Sequence, residues 1–306
     1  MTGFIQIVEV GPRDGLQNEK QVLGVEEKLD FVRALETCGA TRIEAVSFVN
    51  ERRVPQMAGA EAMMAALPHV DDRSRIGLVL NERGWDRAVA SGCDEANIVI
   101  CATDGFGVRN QGATTAEQMA GLETIMRRRR LEGGPPATVT ISVSFGCPFE
   151  GEVPEGRVIE IVGRAGVAGV EEIALADTIG VADPWTVRRR VGAARRAAPA
   201  ARLRAHFHDT RGQALANAFA SIDSGVEVLD ASCGGLGGCP FAPGATGNLA
   251  TEDLAWMLER AGFTTGLDID GLIAVARSMG ERIGKQPASA LSRAGRFPGD
   301  RQAASG

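Results

Sequence analysis

The chain has 306 residues, 44% of them apolar, enough to bury the core of two average domains or of one α/β barrel of about 250 residues. A formal charge of −6 and a pI near 5.3 argue against a protein that tracks a nucleic-acid backbone. No apolar stretch approaches the length of a membrane span, and strand-like sequence from Phe4 onward is expected to leave no signal or transit segment.

Short β-rich apolar runs alternate with longer segments of helical period. The first candidate strand, Phe4–Val10, precedes a candidate helix at Val25–Thr37. Strand Arg42–Ala45 is followed by helix Ala60–Ala66, strand Ile76–Leu80 by helix Glu82–Ala90, and strand Ala96–Ile100 by helix Thr115–Arg130. The second half repeats the alternation: Thr138–Val143 then Gly156–Ala168, Glu172–Leu175 then Pro184–Ala197, Leu203–Phe207 then Gln213–Ser224, and Val228–Ala231 then Thr251–Ala261. Eight strand–helix pairs predict an α/β fold of the (β/α)8 TIM-barrel type. A doubly wound open sheet is the alternative, weakened because no glycine-rich nucleotide fingerprint follows the first strand. One domain is expected over residues 1–295, with an extra helix at Ile269–Ile283 and a frayed tail over 296–306. The basic run Arg127–Arg130 ends a helix, where cations complement the dipole, and reads as a solvated terminus. Cys38, Cys93, Cys101, Cys147, Cys233 and Cys239 form no Cys-x-x-Cys pair and read as reduced thiols of a cytoplasmic protein.

His206 and His208, two of the three histidines, close the seventh strand. Side chains at i and i+2 of a strand share a face, so these imidazoles lie within about 7 Å of each other and can meet one divalent cation. A His-x-His pair alone is as readily an ordinary core or surface pair; the other polar residues shift the balance. Catalytic groups of barrels project from the C-terminal strand ends. Read outward, the strands give Arg13 and Asp14 after the first, Glu44 and Ser47 on the second, and Ser142 on the fifth. Asp177 and Thr178 follow the sixth, and Cys239 and Asn248 lie in the loop after the eighth. Residues far apart in sequence thus converge on one rim.

Asp14 supplies an anionic oxygen, His206 and His208 supply nitrogens, and Asn248 a neutral amide oxygen. That mixed set without thiolates suits Mg²⁺ or Mn²⁺ with open positions better than a closed zinc site. Glu44 and Asp177 are placed to orient ligands or substrate. Taken singly each has an ordinary reading: Asp14 as a turn residue, Glu44 and Asp177 as structural hydrogen-bonding groups, Asn248 as a loop residue. The uncharged, glycine-rich stretch Gly234–Asn248 predicts a mobile active-site loop, with Cys239 near its tip as a proton donor or else an inert thiol.

Val8-Glu9-Val10-Gly11-Pro12-Arg13-Asp14-Gly15-Leu16-Gln17-Asn18-Glu19 resembles the amino-terminal motif of the 3-hydroxy-3-methylglutaryl-CoA (HMG-CoA) lyase family. Ser47-Phe48-Val49, Gly146–Gly151, Asp177-Thr178-Ile179-Gly180, His206–Thr210, Gln213–Asn217 and the loop through Asn248–Asp253 resemble the same family in the same order. The resemblance implies a TIM barrel holding a divalent cation, Mg²⁺ or Mn²⁺, on Asp14, His206, His208 and Asn248. It implies that Arg13 neutralises a developing enolate, that Cys239 takes part in proton transfer, and that Asp14 or His206 serves as base. Gln17, Glu44, Ser142 and Asp177 are then expected to bind substrate or orient the ligands. The reaction implied is cleavage of (S)-3-hydroxy-3-methylglutaryl-CoA to acetyl-CoA and acetoacetate, by a homodimer with an acyl-CoA as its partner and neither nucleic acid nor membrane. A lyase for another 3-hydroxyacyl-CoA, such as citramalyl-CoA, and a non-catalytic metal- or CoA-binding barrel are the alternatives. Cys101–Asn110 resembles the family only in part, with Asp104 in a glutamate position, and no cysteine follows Cys239 to match the carboxyl-terminal thiol of some animal members.

Overall fold

Strands covered on both faces, as in parallel sheets flanked by helices, read as buried runs, apolar except where polar side chains are paired inside. The computed structural model describes residues 3–238 and 247–297. It places such runs in β1 (Gln6–Glu9), β2 (Arg42–Ser47), β3 (Ser74–Val79), β4 (Glu95–Cys101), β5 (Ala137–Ser142), β6 (Glu172–Asp177), β7 (Arg202–Phe207) and β8 (Val228–Ala231). Every neighbouring pair is parallel. β1 pairs with β2 on one side and with β8 on the other, in register from Gln6↔Val228 to Glu9↔Ala231. The barrel is closed, so the open-sheet alternative falls.

The outer ring consists of α1 (Val25–Thr37), α2 (Ala60–Ala65), α3 (Glu82–Ala90), α4 (Asp104–Gln111), α5 (Thr115–Glu132), α6 (Glu155–Ala168), α7 (Pro184–Ala197) and α8 (Ala214–Asp223), and α9 (Thr251–Arg260) completes it. Each long helix buries one stripe; in α6 the stripe is Val158, Ile161, Val162 and Ala165. Capping chemistry fixes the starts. Thr114 and Glu117 form a reciprocal capping box at α5, and Asp183 accepts the Trp185 and Thr186 N–H at 3.0 Å each at α7.

Two helices were not expected from the sequence pattern. Gly105 and Gly107 make α4 a poor helix by propensity, but Thr103 caps it and the Glu150 carboxylate accepts the Gly105 N–H at 2.5 Å. After α10 (Ile269–Ile283) comes a second carboxyl-terminal helix, α11 (Ala290–Ala294), where a single one was expected. Its five residues are too few to read as a helical period; Asp253 of α9 accepts the Ala290 and Leu291 N–H at 2.8 Å each. β1 is shorter than Phe4–Val10, with Phe4 making only an isolated bridge to Thr264. Residues 298–306 of the expected tail lie outside the described residues. No helix among the described residues is long and apolar enough to cross a membrane.

The basic run ends α5 against neighbouring elements: Arg128 meets Asp86 at 2.8 Å, Arg129 meets Glu171 at 2.5 Å, and Arg130 donates to the Ala168 carbonyl at 2.8 Å. The amino-terminal mouth of the barrel is filled by a buried ionic layer from β2, β4, β6 and β7. Arg42 of β2 reaches Glu95 of β4 and Glu172 of β6, both at 2.8 Å, and Arg204 of β7 lies 3.4 Å from Glu172. Burial alone would push Glu172 up, but Arg204 and Arg42 outweigh it and bring its carboxyl down to about 2. With that end filled, the cavity opens at the other.

Candidate active site

At the carboxyl-terminal mouth, Gly11–Gly15 forms a tight π-helical turn directly after β1. It puts Arg13 and Asp14 over the barrel opening. Gly11 is required there, since a Cβ would sit 2.7 Å from the Glu9 carboxylate. Arg13 Nε donates to Glu44 Oε2 at 2.6 Å and Arg13 Nη1 to Asp14 Oδ1 at 2.5 Å. Glu44 is held in turn by Asn97 Nδ2 at 2.8 Å. Arg13 is therefore a buried guanidinium fixed between two carboxylates. Burial opposes its charge, but Glu44 and Asp14 prevail and raise its pKa.

β7 delivers Arg204, His206 and His208 to the barrel interior by its two-residue period. The imidazole centres of His206 and His208 lie 5.1 Å apart. His208 Nε2 is 3.7 Å from Asp14 Oδ2. Among the described residues, Asp14, His206 and His208 offer three ligand atoms all within 4.8 Å of one another. Burial would raise the Asp14 carboxyl, but Arg13 and the two imidazoles hold it well below the usual carboxylate range. His206 is shifted upward: burial disfavours its cation, and Asp230 and Asp14 outweigh burial.

Asn248 joins this group from the far side of the loop after β8. Its Nδ2 donates to Asp14 Oδ2 at 2.7 Å and to the Leu236 carbonyl at 3.1 Å. Those two acceptors fix the amide orientation and leave Oδ1 buried without a partner among the described residues; His208 Nδ1 is left likewise. An unpaired buried polar atom costs on the order of 1–3 kcal/mol. The carboxylate and two imidazoles gathered at Asp14, with the Asn248 amide beside them, are a donor set that a hard divalent cation would satisfy. The loop neck is closed by glycines: a Cβ at Gly247 would meet the Gly237 carbonyl at 2.5 Å.

A cavity of about 270 Å³ opens onto these groups. Arg13, Asp14, Gln17, Asn18, Ser142, Thr178, His206, His208 and Asp230 form its polar side. Across the barrel, Val49, Val54, Leu78, Leu80, Val99 and Phe106 form an apolar wall, and Arg109 and Asn110 of α4 reach its edge. The Arg109 guanidinium rests 4.4 Å from the centre of the Phe149 ring.

Of the residues singled out from sequence, Arg13, Asp14, Gln17, Ser142, His206 and His208 thus share one cavity, and Asn248 touches Asp14. Glu44 lies mid-strand beneath Arg13. Both Asp177 oxygens are engaged by loop backbone, accepting the Val181 and Ala182 N–H at 2.9 and 3.0 Å, and it does not line the cavity. Burial pushes the Asp177 carboxyl up, against those two donors. Ser47 is buried away from the cavity. Cys239 lies outside the described residues. Asp230, Asn97 and Asn18 were missed. Asp230 had a signal, as the one charged residue within the strand Val228-Leu229-Asp230-Ala231.

The chain is thus a closed parallel α/β barrel whose carboxyl-terminal mouth, the end where such barrels carry their active sites, gathers a carboxylate and two imidazoles that could hold a metal ion. A family model described as HMGL-like matches residues 4–279, and the chain belongs to that family. It is 39% identical over 280 residues to the hydroxymethylglutaryl-CoA lyase of Pseudomonas mevalonii, covering 92% of this chain and 93% of that protein. It is 38% identical over 294 residues to the mitochondrial hydroxymethylglutaryl-CoA lyase of Arabidopsis thaliana; the match covers 95% of this chain and 63% of that longer protein. An HMG-CoA lyase from Acenitobacter baumannii, solved in complex with coenzyme A and 3-methylmalate, aligns with a TM-score of 0.90 at 37% identity, over 96% of each chain.

Proposed function

We propose that this protein is a divalent-metal-dependent carbon–carbon lyase that cleaves (S)-3-hydroxy-3-methylglutaryl-CoA to acetyl-CoA and acetoacetate. The observation that carries the reading is the meeting of Asp14, His206, His208 and Asn248 within reach of Arg13, at one mouth of a barrel of the HMGL-like family. A cation bound by Asp14, His206, His208 and Asn248 would supply Lewis acidity, lowering the pKa of the substrate hydroxyl.

The residues divide the remaining work. His206 or Asp14 accepts the hydroxyl proton. The carbonyl forms as the carbon–carbon bond breaks, and the electron pair passes to the acetyl-CoA enolate. Arg13, already desolvated and aimed by Glu44, donates to the enolate oxygen without reorganising. Protonation at the enolate carbon completes the reaction, and Cys239 is the proposed donor on the strength of its sequence context. Gln17 and Ser142, both on the cavity wall, bind the acyl group, and Asp177 shapes the turn beside it.

The family resemblance supports a homodimer, which sedimentation of the purified protein tests. The buried free thiols Cys38, Cys93, Cys101, Cys147 and Cys233 suit a reducing compartment, and we place the protein in the cytoplasm; names of its relatives carry both "mitochondrial" and "cytoplasmic". Steady-state assay against HMG-CoA and citramalyl-CoA, with Mg²⁺ and after chelation, tests the function. Acetoacetate formed only with the cation is the expected result. Pyruvate from citramalyl-CoA alone would transfer the reading to that substrate, and no product from either would end it.

A further inference from the structure

Asp230 stands beside the candidate metal cluster without belonging to it. It is the register partner of His206 across the parallel β7–β8 pair, so the two side chains enter the barrel interior together. Its Oδ2 lies 3.1 Å from His206 Nδ1. Its Oδ1 lies 3.4 Å from the Nε of Arg204, two residues before His206 on the same face of β7, an attraction between opposite charges without a hydrogen bond. Arg204 is itself anchored in the ionic layer, 3.4 Å from Glu172, and donates to Thr140 Oγ1 at 3.2 Å. Asp230 and Arg204 are only 5% and 2% exposed, so no bulk water competes for these contacts.

A neutral imidazole carries one proton, on Nδ1 or on Nε2, and only the bare nitrogen can ligate a metal. A carboxylate can only accept, so its contact with Nδ1 places the proton there and leaves Nε2 bare. We propose that Asp230 is a positioning residue that fixes His206 in the Nδ1–H tautomer, with Nε2 presented to the cation, and that Arg204 holds Asp230 in that pose. The proposal rests on the metal-dependent reading above. It assigns His206 to holding the cation, and in this tautomer leaves proton abstraction to the carboxylate side of the cluster.

The test begins on metal-free protein. With three histidines in the chain, ¹⁵N-histidine NMR at alkaline pH reads each tautomer directly. His206 protonated on Nδ1 is expected; His206 protonated on Nε2 in the wild type overturns the proposal without any variant. Asp230→Asn comes next, because an amide N–H can donate to Nδ1 and trap the opposite tautomer. Mn²⁺ affinity of this variant, titrated while it still melts cooperatively, should fall about 10- to 100-fold, the usual effect of losing an outer-shell partner of a ligating histidine. Asp230→Ala, which offers no donor, should weaken Mn²⁺ binding without imposing the Nε2–H form. Wild-type Mn²⁺ affinity in either folded variant overturns the proposal. If the wild type bound no Mn²⁺ at all, the functional reading would fall, while the tautomer measurement would still decide the role of Asp230.

Discussion

Glu9 makes the stability of this barrel depend on pH in a direction opposite to that of an ordinary salt-bridged carboxylate. Its side chain is 1% exposed beneath the turn that carries Arg13 and Asp14. It accepts the Gly11 N–H at 2.7 Å, the Cys233 N–H at 3.0 Å and the Thr251 hydroxyl at 2.6 Å, tying together three segments of the mouth. Burial nevertheless dominates: it pushes the carboxyl from 4.5 to about 7 against those donors, and nearby Glu252 acts in the same sense. Because the folded pKa lies above the unfolded one, the folded chain keeps a proton that the unfolded chain releases. The stabilisation is complete below pH 4.5 and is lost as pH rises through about 7. Between those two values, at about 1.36 kcal/mol per pH unit, the proton contributes about 3 kcal/mol. Glu9→Gln removes the titration while keeping an acceptor for both N–H groups and a donor for Thr251. In urea unfolding with chelator present, the variant should gain about 3 kcal/mol on the wild type between pH 4.5 and about pH 8. Parallel stability profiles for the two proteins would refute the assignment.

Three further perturbations separate chemistry from scaffold. Arg13→Gln should lower kcat and kcat/KM on the order of 10²-fold or more with little change in KM, as for loss of one oxyanion donor; wild-type turnover would remove Arg13 from the scheme. Cys239→Ser should slow turnover while bound-metal content, read by elemental analysis, stays the same; an unaffected rate would restore the inert-thiol reading. Arg42→Met leaves Glu95 buried without its cation at the opposite mouth, while Glu172 keeps Arg202 and Arg204, and should cost about 3–5 kcal/mol in urea unfolding, with kcat/KM of the folded fraction unchanged.

The barrel was legible because its signals are local. Parallel strands buried on both faces announce themselves as apolar runs, and capping groups such as Thr114 and Asp183 mark helix starts. The two unexpected helices depend on contacts from distant sequence: α4 on Glu150, and α11 on Asp253. The rim residues were legible because a two-residue period and the barrel rule together assign a strand end to each polar side chain. That rule gives position along a strand but not what a side chain meets. It grouped Asp177 with Glu44, yet Asp177 engages backbone N–H groups and Glu44 engages Arg13.

The order of elements, the barrel class and the identity of Asp14, His206, His208 and Asn248 as candidate ligands could be read from the residues alone, because each follows from short-range periodicity or residue chemistry. The folded barrel alone shows that Asp14 and Asn248 touch across a sequence separation of 234, that Arg13 is clamped by Glu44, and that Asp230 faces His206. Strand register and barrel closure set those pairings. Closure joins β8 to β1 through backbone hydrogen bonds, which carry no side-chain pattern to read in advance.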